Sequence, residues 1–342
     1  MMPLVSILIP VFNCEAWIAN AIESALAQTW PNKEVIVLDD SSTDGTLDVI
    51  RRFDGRVTFE SCPRGGQNVS RNRLAELSHG DWLVFLDADD ELAPNSVEIK
   101  MGYSAEANVI YGSMEVATFA GRVKEKSYVQ KAIDFEDPLA AAFEMRFPNT
   151  SAMMFEREAL LSVGGWPTDV VNFTDYALYF ALLLAQWRFC AAPDAFSIYR
   201  KWSPTQAVNE NPLRTVVTHL DVLWGAAQKL EATGTMTPLR LKAWSERTLY
   251  ATRTLYWLDM DGVALQLERL HALNPGFLPS PPAFSRGYAR AFRWLGFYTA
   301  ERLVNATRSW PRRLNWQAGT NLASDCSNQT LVDECFSLEV KE

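Results

Sequence analysis

The sequence is poor in the residues that form disulfides and soft-metal sites. Among 342 residues there are 3 histidines and 5 cysteines, and the cysteines form no CxxC pair. No cysteine has a histidine at metal-ligand spacing. The cysteines form an odd, scattered set: Cys14, Cys62, Cys190, Cys326 and Cys335. A set of this kind predicts reduced thiols in a cytoplasmic protein.

Long apolar runs and an excess of basic residues are also missing. No stretch reaches ~18 uninterrupted apolar residues. The N-terminal MMPLVSILIP has no basic region before its apolar run, which Pro10 interrupts. The net charge is −9, which argues against general nucleic-acid binding. We therefore expect a chain that is not secreted, spans no membrane and binds no nucleic acid.

Two common nucleotide-binding signatures are absent. No GxGxxG follows the first predicted strand, which weakens a dinucleotide-dependent oxidoreductase, and no GxxxxGK[ST] supports a P-loop protein. What the chain does have is 48% hydrophobic residues over a length that favours more than one domain.

The first hundred residues alternate between β-rich and helical patterns. Strands are predicted at 4–11, 35–38, 57–59 and 82–86, with helices from Ile18, over 47–53 and over 69–77. This βαβαβαβ order predicts a mostly parallel sheet with helices on both faces. Ligands of such sheets bind at the carboxyl ends of the strands, where acidic clusters follow the second and fourth strands.

Later segments complete a first domain and begin a second. A hairpin is predicted around Ala120–Gly121, a strand at 150–155 and a buried helix at 176–185, with Asp175 in its first turn. Further strands are predicted at 189–191 and 196–199. We expect an α/β domain over 1–205, a helical C-terminal region over 206–318 and a mobile tail over 319–342.

Carboxylates at two strand ends are the strongest local signal. Asp87 and Asp89 form an i, i+2 pair, which points both side chains the same way in an extended chain. Such a pair suits Mg²⁺ or Mn²⁺ held against a diphosphate. Spacing alone leaves an alternative open, in which acidic residues after the strand cap the next helix. Asp90 is the residue placed for that role. Asp39 and Asp40 are equally ambiguous, as turn residues or as acceptors for a base or ribose.

Taken together, these segments resemble the family 2 glycosyltransferases. The resemblance rests on SILIPVFNCEAWIANAIESALAQTW, DDSSTDGT, SRNRLAELSHGDWLVFLDADD and GGWPTDVVNFTDYALYFALLLA, in this order over residues 4–205. It implies a GT-A fold, a Rossmann-like mixed sheet, with a DXD motif. It also implies an inverting transfer of sugar from a nucleoside-diphosphate donor to a hydroxyl, in cell-surface polysaccharide or glycolipid synthesis.

Site residues follow from this resemblance, position by position. Pro10 and Phe12 match residues flanking the nucleotide base, and Asp40 matches the carboxylate that accepts from it, which favours a UDP-sugar. Asp87 matches the ribose-side acid, and Asp89 matches the ligand of Mn²⁺ or Mg²⁺.

The same resemblance also implies residues that act on the acceptor and on the diphosphate. Asp175 matches the general base, against the alternative of an ordinary helix cap. Arg200 and Lys201 are candidate diphosphate contacts, against the alternative of a solvated charge pair.

Three departures from the family pattern keep other functions open. Thr174 replaces a glutamate before the base, Ala177 replaces a further aspartate, and Trp202 replaces a histidine that helps bind metal in some members. A catalytically silent GT-A nucleotide-binding module, or a nucleotidyltransferase-like enzyme that releases pyrophosphate, are the competing functions.

The C-terminal region is locally basic and aromatic. Residues 281–316 carry seven arginines and one acid, Glu301, in a chain whose net charge is −9. Two interpretations stay open. The segment either contacts anionic lipid at the inner face of the plasma membrane, where it would meet a lipid-linked acceptor, or packs on the acidic domain. His219 and His271 have no partner ligands in the sequence and are expected to be structural.

Overall fold

A computed structural model describes residues 2–170, 172–201 and 211–307. The chain divides into two compact units, Met1–Trp202 and Ser203–Glu342. The predicted boundary near residue 205, the tail from residue 319 and the departure at Trp202 lie outside the described residues.

The first unit is built on one nine-stranded mixed sheet, in the order β3-β2-β1-β4-β8-β6-β9-β5, with β7 paired to β6. The strands β1 to β4 are mutually parallel, and β6 runs parallel to β9. The strands are β1 Val5–Val11, β2 Lys33–Asp39, β3 Thr58–Ser61, β4 Trp82–Phe85, β5 Glu91–Leu92, β6 Val109–Ala120, β7 Val123–Gln130, β8 Met153–Glu156 and β9 Phe189–Lys201.

Helices cover this sheet because each has an apolar face to bury. In α1, Ile18, Ala21, Ile22 and Ala25 recur at helical spacing, and all four are buried against the sheet core. The helices of the first unit are α1 Ile18–Leu26, α2 Thr46–Arg51, α3 Gln67–Leu77, α4 Ser96–Met101, α5 Pro138–Phe143, α6 Arg157–Ser162 and α7 Thr174–Leu184. The expected α/β fold and the hairpin around Ala120–Gly121 are confirmed.

Three predicted strands differ from the observed ones. The segments 189–191 and 196–199 are parts of one long strand, β9, which continues past Pro193 through a register shift opposite Gly112–Ser113. Gly112 permits this close approach, because a Cβ there would lie 2.3 Å from the Ala195 carbonyl oxygen. The segment predicted as a strand from Thr150 instead begins with a 3₁₀ turn, Thr150–Ala152, before β8.

The second unit is helical, as predicted. Its helices are α8 Pro212–Ala232, α9 Pro238–Leu258, α10 Met260–Leu273 and α11 Arg286–Thr307. The side chains of Asn211, Thr237 and Asp259 accept hydrogen bonds at the first turns of α8, α9 and α10. His219 is buried 3.3 Å from Arg247 Nε, which supports its structural role. In the part of the chain that is described, every helix is too short or too polar to cross a bilayer.

Candidate active site

The carboxyl ends of β1, β2 and β4 meet at one edge of the sheet. Parallel pairing places Val11 of β1 opposite Asp39 of β2, and Leu8 opposite Phe85 of β4. The segments that follow these strands therefore lie at the same edge of the sheet. Both acidic clusters are in these segments and so lie at that edge. Pro10 lies buried in β1 at this end, opposite Leu38.

Asp39 and Asp40, adjacent in sequence, serve different purposes. Asp39 accepts hydrogen bonds from Ser42 N at 3.2 Å and Ser61 Oγ at 2.9 Å, so it stabilises the turn after β2. Asp40 accepts from the backbone amides of Gly65 at 2.7 Å and Gly66 at 2.9 Å. The structure thus assigns the turn role to Asp39 and leaves Asp40 facing the loop that precedes α3.

A buried arginine connects the two halves of the predicted site. Arg71 of α3 is only 2% exposed, yet it donates to Asp87 Oδ1 at 2.8 Å and to Asp175 Oδ1 at 3.4 Å. Its guanidinium also lies 4.2 Å from the centre of the Trp166 ring. The Arg71 side chain therefore links Asp87, at the end of β4, to Asp175, in the first turn of α7, although the two aspartates are 88 positions apart in the sequence.

The loop before α7 is held by α3 as well. The Asn72 side chain donates to Trp166 O at 2.9 Å and accepts from Trp166 N at 2.8 Å. Gly165 makes this possible: its φ is +75°, and a Cβ there would lie 2.6 Å from Asn72 Oδ1. These contacts hold Gly165 and Trp166, in the segment before α7, against α3.

Asp175 occupies the first turn of α7, as predicted, but its carboxylate is used differently from a helix cap. The N-cap residue is Phe173, in a left-handed conformation with φ of 52° and no side-chain cap bond. The Asp175 carboxylate faces Arg71 instead and is 28% exposed. Left-handed backbone at a non-glycine residue is strained, and such strain clusters at functional sites.

Burial and the neighbouring charges shift the pKa of the Asp175 carboxyl in both directions. Burial raises its pKa above the ordinary value, the nearby Asp87 carboxylate raises it further, and the Arg71 guanidinium lowers it. A carboxylate with a raised pKa is a better proton acceptor, provided it is ionised at working pH. The site therefore contains a carboxylate suited to general-base chemistry.

The two aspartates that follow Ala88 differ in environment. Asp90 is fully buried and accepts from Ser151 Oγ at 2.7 Å and Arg200 N at 3.0 Å. It stabilises the junction of β4 with β9 and caps no helix. Asp89 is half-buried at the strand end. Burial and the Asp90 and Asp89 carboxylates together raise the pKa of the Tyr199 hydroxyl, which marks this edge as strongly acidic.

The acidic edge suits a divalent cation whose coordination shell is completed by phosphate and water oxygens. Among residues 2–170, 172–201 and 211–307, no cluster of three or more His, Cys, Asp and Glu side chains is arranged to hold a metal. Mg²⁺ and Mn²⁺ bound beside a diphosphate need only one or two carboxylates, with phosphate and water oxygens completing the shell. Asp89 and Asp87 are two carboxylates close together at the end of β4, a number that such a site requires.

Arg200 has a different environment from the one the sequence suggested. Its guanidinium packs between Trp17 and Phe119, at 4.6 and 5.2 Å from the ring centres, and pairs with Glu91. It also donates to the Asp89 carbonyl at 2.8 Å. The Arg200 side chain is 5% exposed, so it is not placed to contact a diphosphate, and the prediction for Arg200 is corrected. Its bond to the Asp89 carbonyl supports the backbone at that position. Lys201, the last residue of β9, is half-buried and stays a candidate.

Comparison with known families identifies this arrangement. The model described as glycosyl transferase family 2 matches residues 6–164. Residues 6–164, just under half of the chain, are thus similar to glycosyltransferase family 2. The matched region contains the carboxyl ends of β1, β2 and β4 together with Arg71, but ends before Asp175.

Curated relatives share this family 2 region. An uncharacterised glycosyltransferase of Haemophilus influenzae is 31% identical over 140 residues, which cover 39% of this chain and 56% of the relative. A chondroitin synthase of Pasteurella multocida is 42% identical over 100 residues, which cover 28% of this chain and 10% of the relative. The chain thus spans about half the length of one relative and a tenth of the other.

Solved structures share the fold over most of the chain. Staphylococcus aureus TarS 1–349, solved in complex with UDP-GlcNAc, matches with a TM-score of 0.62 at 16% identity, over 88% of this chain and 90% of that one. The mannosyltransferase PcManGT of Pyrobaculum calidifontis, in complex with GDP-Man and Mn²⁺, matches with a TM-score of 0.54 at 18% identity, over 90% and 80%. The predicted GT-A fold is confirmed.

Sequence reasoning missed Arg71, although a signal was present. Arg71 precedes the buried Leu74 and Ala75 by three and four positions, so it lies on the apolar face of α3. A charged residue on a buried helix face needs a partner, which the sequence alone does not identify.

Proposed function

We propose that this protein transfers a sugar from a nucleoside-diphosphate donor, with a UDP-sugar favoured, to a hydroxyl acceptor with inversion of configuration. The observation that carries the proposal is the bridge from Asp87 through Arg71 to Asp175. It joins the donor-side carboxylates of the strand ends to a candidate base on α7.

The proposed reaction is a single in-line displacement. Asp175 accepts the proton of the acceptor hydroxyl while that oxygen forms a bond to the anomeric carbon of the sugar. The bond from this carbon to the diphosphate oxygen breaks, and its electron pair leaves with the nucleoside diphosphate. Arg71 acts as a positioning residue, because it holds the Asp175 carboxylate in place and favours its ionised form.

We assign the nucleotide base to Phe12 and Asp40, beside Pro10. Phe12 is 39% exposed, and its aromatic face suits stacking on a base. The Asp40 carboxylate keeps acceptor capacity beyond its two amide bonds and suits the imide N–H of uracil. The relatives support a sugar-nucleotide donor, because two of the neighbouring structures hold UDP-GlcNAc and GDP-Man.

A divalent cation would be held by Asp89, with Asp87 beside it, and would offset negative charge on the leaving diphosphate. Replacing Asp89 with alanine should therefore abolish the Mn²⁺-dependent part of UDP affinity and leave weaker, metal-independent binding. Calorimetry with Mn²⁺ and with EDTA measures both parts. An Asp89→Ala protein with wild-type metal dependence would remove Asp89 as the ligand.

For the acceptor we propose a cell-surface polysaccharide or glycolipid. The matched relatives include the chondroitin synthase and a hyaluronan synthase of Pasteurella multocida. A panel of nucleoside diphosphates and nucleotide sugars in a thermal-shift assay tests donor binding first, because a ligand of the native state raises its stability. Failure of every nucleotide to stabilise the protein would contradict the proposal.

We also propose that α11 contacts the anionic inner face of the plasma membrane. Arg286, Arg290, Arg293 and Arg302 are all exposed on this helix. The single acid, Glu301, is buried and bonded to Arg253 Nε at 2.7 Å, so it does not offset them at the surface. Near an anionic membrane each basic residue contributes about 1 kcal/mol.

The aromatic residues just before and along α11 include a buried group and an exposed group. Phe284, Tyr288 and Phe297 are buried inside the second unit and cannot reach lipid. Trp294, beside the kink at Gly296, is 81% exposed, and Leu295 and Tyr298 are exposed near it. Trp310 and Trp316 lie outside the described residues. Exposed tryptophan among arginines is typical of an interfacial helix.

Replacing Trp294 with alanine should reduce binding to vesicles that contain anionic lipid several-fold. Tyr128→Ala, at an exposed aromatic on β7, is the matched control and should bind as wild type does. Co-sedimentation at rising salt measures both, since electrostatic attachment weakens with ionic strength. Equal pelleting with neutral and anionic vesicles, or none, would refute membrane contact.

A further inference from the structure

The side chain of Arg64 lies between two groups that are far apart in sequence. Its guanidinium carbon is 3.1 Å from the centre of the Phe12 ring. Its Nη1 is 3.3 Å from Asp40 Oδ2. Arg64 belongs to the loop between β3 and α3, the loop whose Gly65 and Gly66 amides also bind Asp40.

These two contacts coincide with the proposed place of the nucleotide base. A guanidinium is flat, stacks on aromatic faces and presents N–H donors in its own plane. A pyrimidine with an imide N–H has the same three properties. Stacked on Phe12 and donating to Asp40, Arg64 thus makes the contacts that we assign to uracil.

We infer that Arg64 is a built-in occupant of the base site, which the donor nucleotide must displace in order to bind. This inference rests on the proposed function, because it takes Phe12 and Asp40 as the base site. It makes Arg64 a determinant of donor affinity that has no part in the transfer step.

Displacement of Arg64 leaves no buried charge without partners. Asp40 is 4% exposed, but the Gly65 and Gly66 amides still donate to its two oxygens after Arg64 moves. Arg64 itself is 51% exposed, so its charge passes readily into water. The exchange of guanidinium for base is therefore feasible without a rearrangement of the fold.

Competition of this kind lowers apparent affinity, because only the fraction of molecules with an open site binds. Arg64→Ala should consequently tighten UDP binding by about 3- to 10-fold. Inorganic pyrophosphate has no base and gains nothing from an open base site, so its affinity should not increase.

The test is calorimetry of UDP and of pyrophosphate, with Mn²⁺, on wild type, Arg64→Ala and Arg73→Ala. Arg73 is the matched control: it is 44% exposed on α3, pairs with Glu60 and Glu76, and its loss removes the same charge without touching Phe12 or Asp40. Tighter UDP binding by Arg64→Ala alone, without tighter pyrophosphate binding, is the expected result.

The contrary results separate the two claims. Wild type that binds UDP, with equal or weaker binding by Arg64→Ala, would refute the occupant role and leave the proposed function standing. Equal tightening of UDP and pyrophosphate would assign the effect to something other than the base site and would also refute it. Absence of UDP binding in all three proteins would overturn the proposed function itself.

Discussion

Replacing Asp175 with asparagine should lower sugar transfer by about 10²- to 10⁴-fold while donor affinity stays nearly unchanged. Asparagine keeps the size and most of the hydrogen bonding of the side chain, including a carbonyl oxygen for Arg71. It loses the proton-accepting site that the reaction requires. Because Arg71 keeps its charged partner Asp87 at 2.8 Å, the substitution should leave the protein folded.

Asp137→Asn is the matched control for this experiment. The Asp137 side chain caps α5 by accepting from the amides of Leu139 and Ala140, each at 3.1 Å. Asparagine is nearly as good a cap, so this variant should keep wild-type activity and stability. Diphosphate release with acceptor present, together with donor calorimetry, measures both variants. Asp175→Asn with activity within a few-fold of wild type would make Asp175 structural.

Replacing Arg71 with methionine should have the second large effect, lowering turnover by about 10²-fold through a misplaced base. The acid limb of the pH–rate profile should also move to higher pH. Burial and Asp87 already raise the pKa of Asp175, and Arg71 opposes them. Without the guanidinium the pKa rises further, so the carboxylate becomes protonated, and loses its basic form, at a higher pH.

The shift of the pH profile distinguishes this role from a merely structural one. Arg157→Met serves as control, because Arg157 is a half-buried arginine that donates to Gly80 O at 2.6 Å and Ala75 O at 3.0 Å, away from Asp175. It should lose stability without moving the acid limb. An Arg71→Met protein that keeps the wild-type pH profile would show that Arg71 has no influence on the base.

Most helices and strands of the first unit could be predicted, because each follows from the pattern of apolar and polar residues within its own segment. The runs that became β1 and β2 are mostly apolar and mostly buried, as expected of strands covered on both faces, and α1 has a clear apolar stripe. The first-turn position of Asp175 followed from the same reading of α7. Local periodicity decides such features, and tertiary contacts only confirm them.

The arginines could not be assigned in this way, because a basic side chain takes its role from distant partners. Arg71 meets Asp175 across 104 positions, and Arg200 meets Glu91 across 109. Neither pairing leaves a periodic trace in the sequence. The same limit applies to α11, where buried Phe297 and exposed Tyr298 are adjacent in the chain and both rings lie near Tyr256 of α9, so their different burial comes from packing that the sequence does not show.

The central claim is tested most directly by the products formed from a UDP-sugar and a panel of oligosaccharide acceptors. The account predicts release of UDP together with a new glycosidic bond whose anomeric configuration, read by proton NMR, is opposite to that of the donor. Release of pyrophosphate would instead indicate a nucleotidyltransferase, and retention of configuration would contradict a single displacement by an acceptor that Asp175 activates. Donor binding without turnover on any acceptor would favour a catalytically silent member of the family.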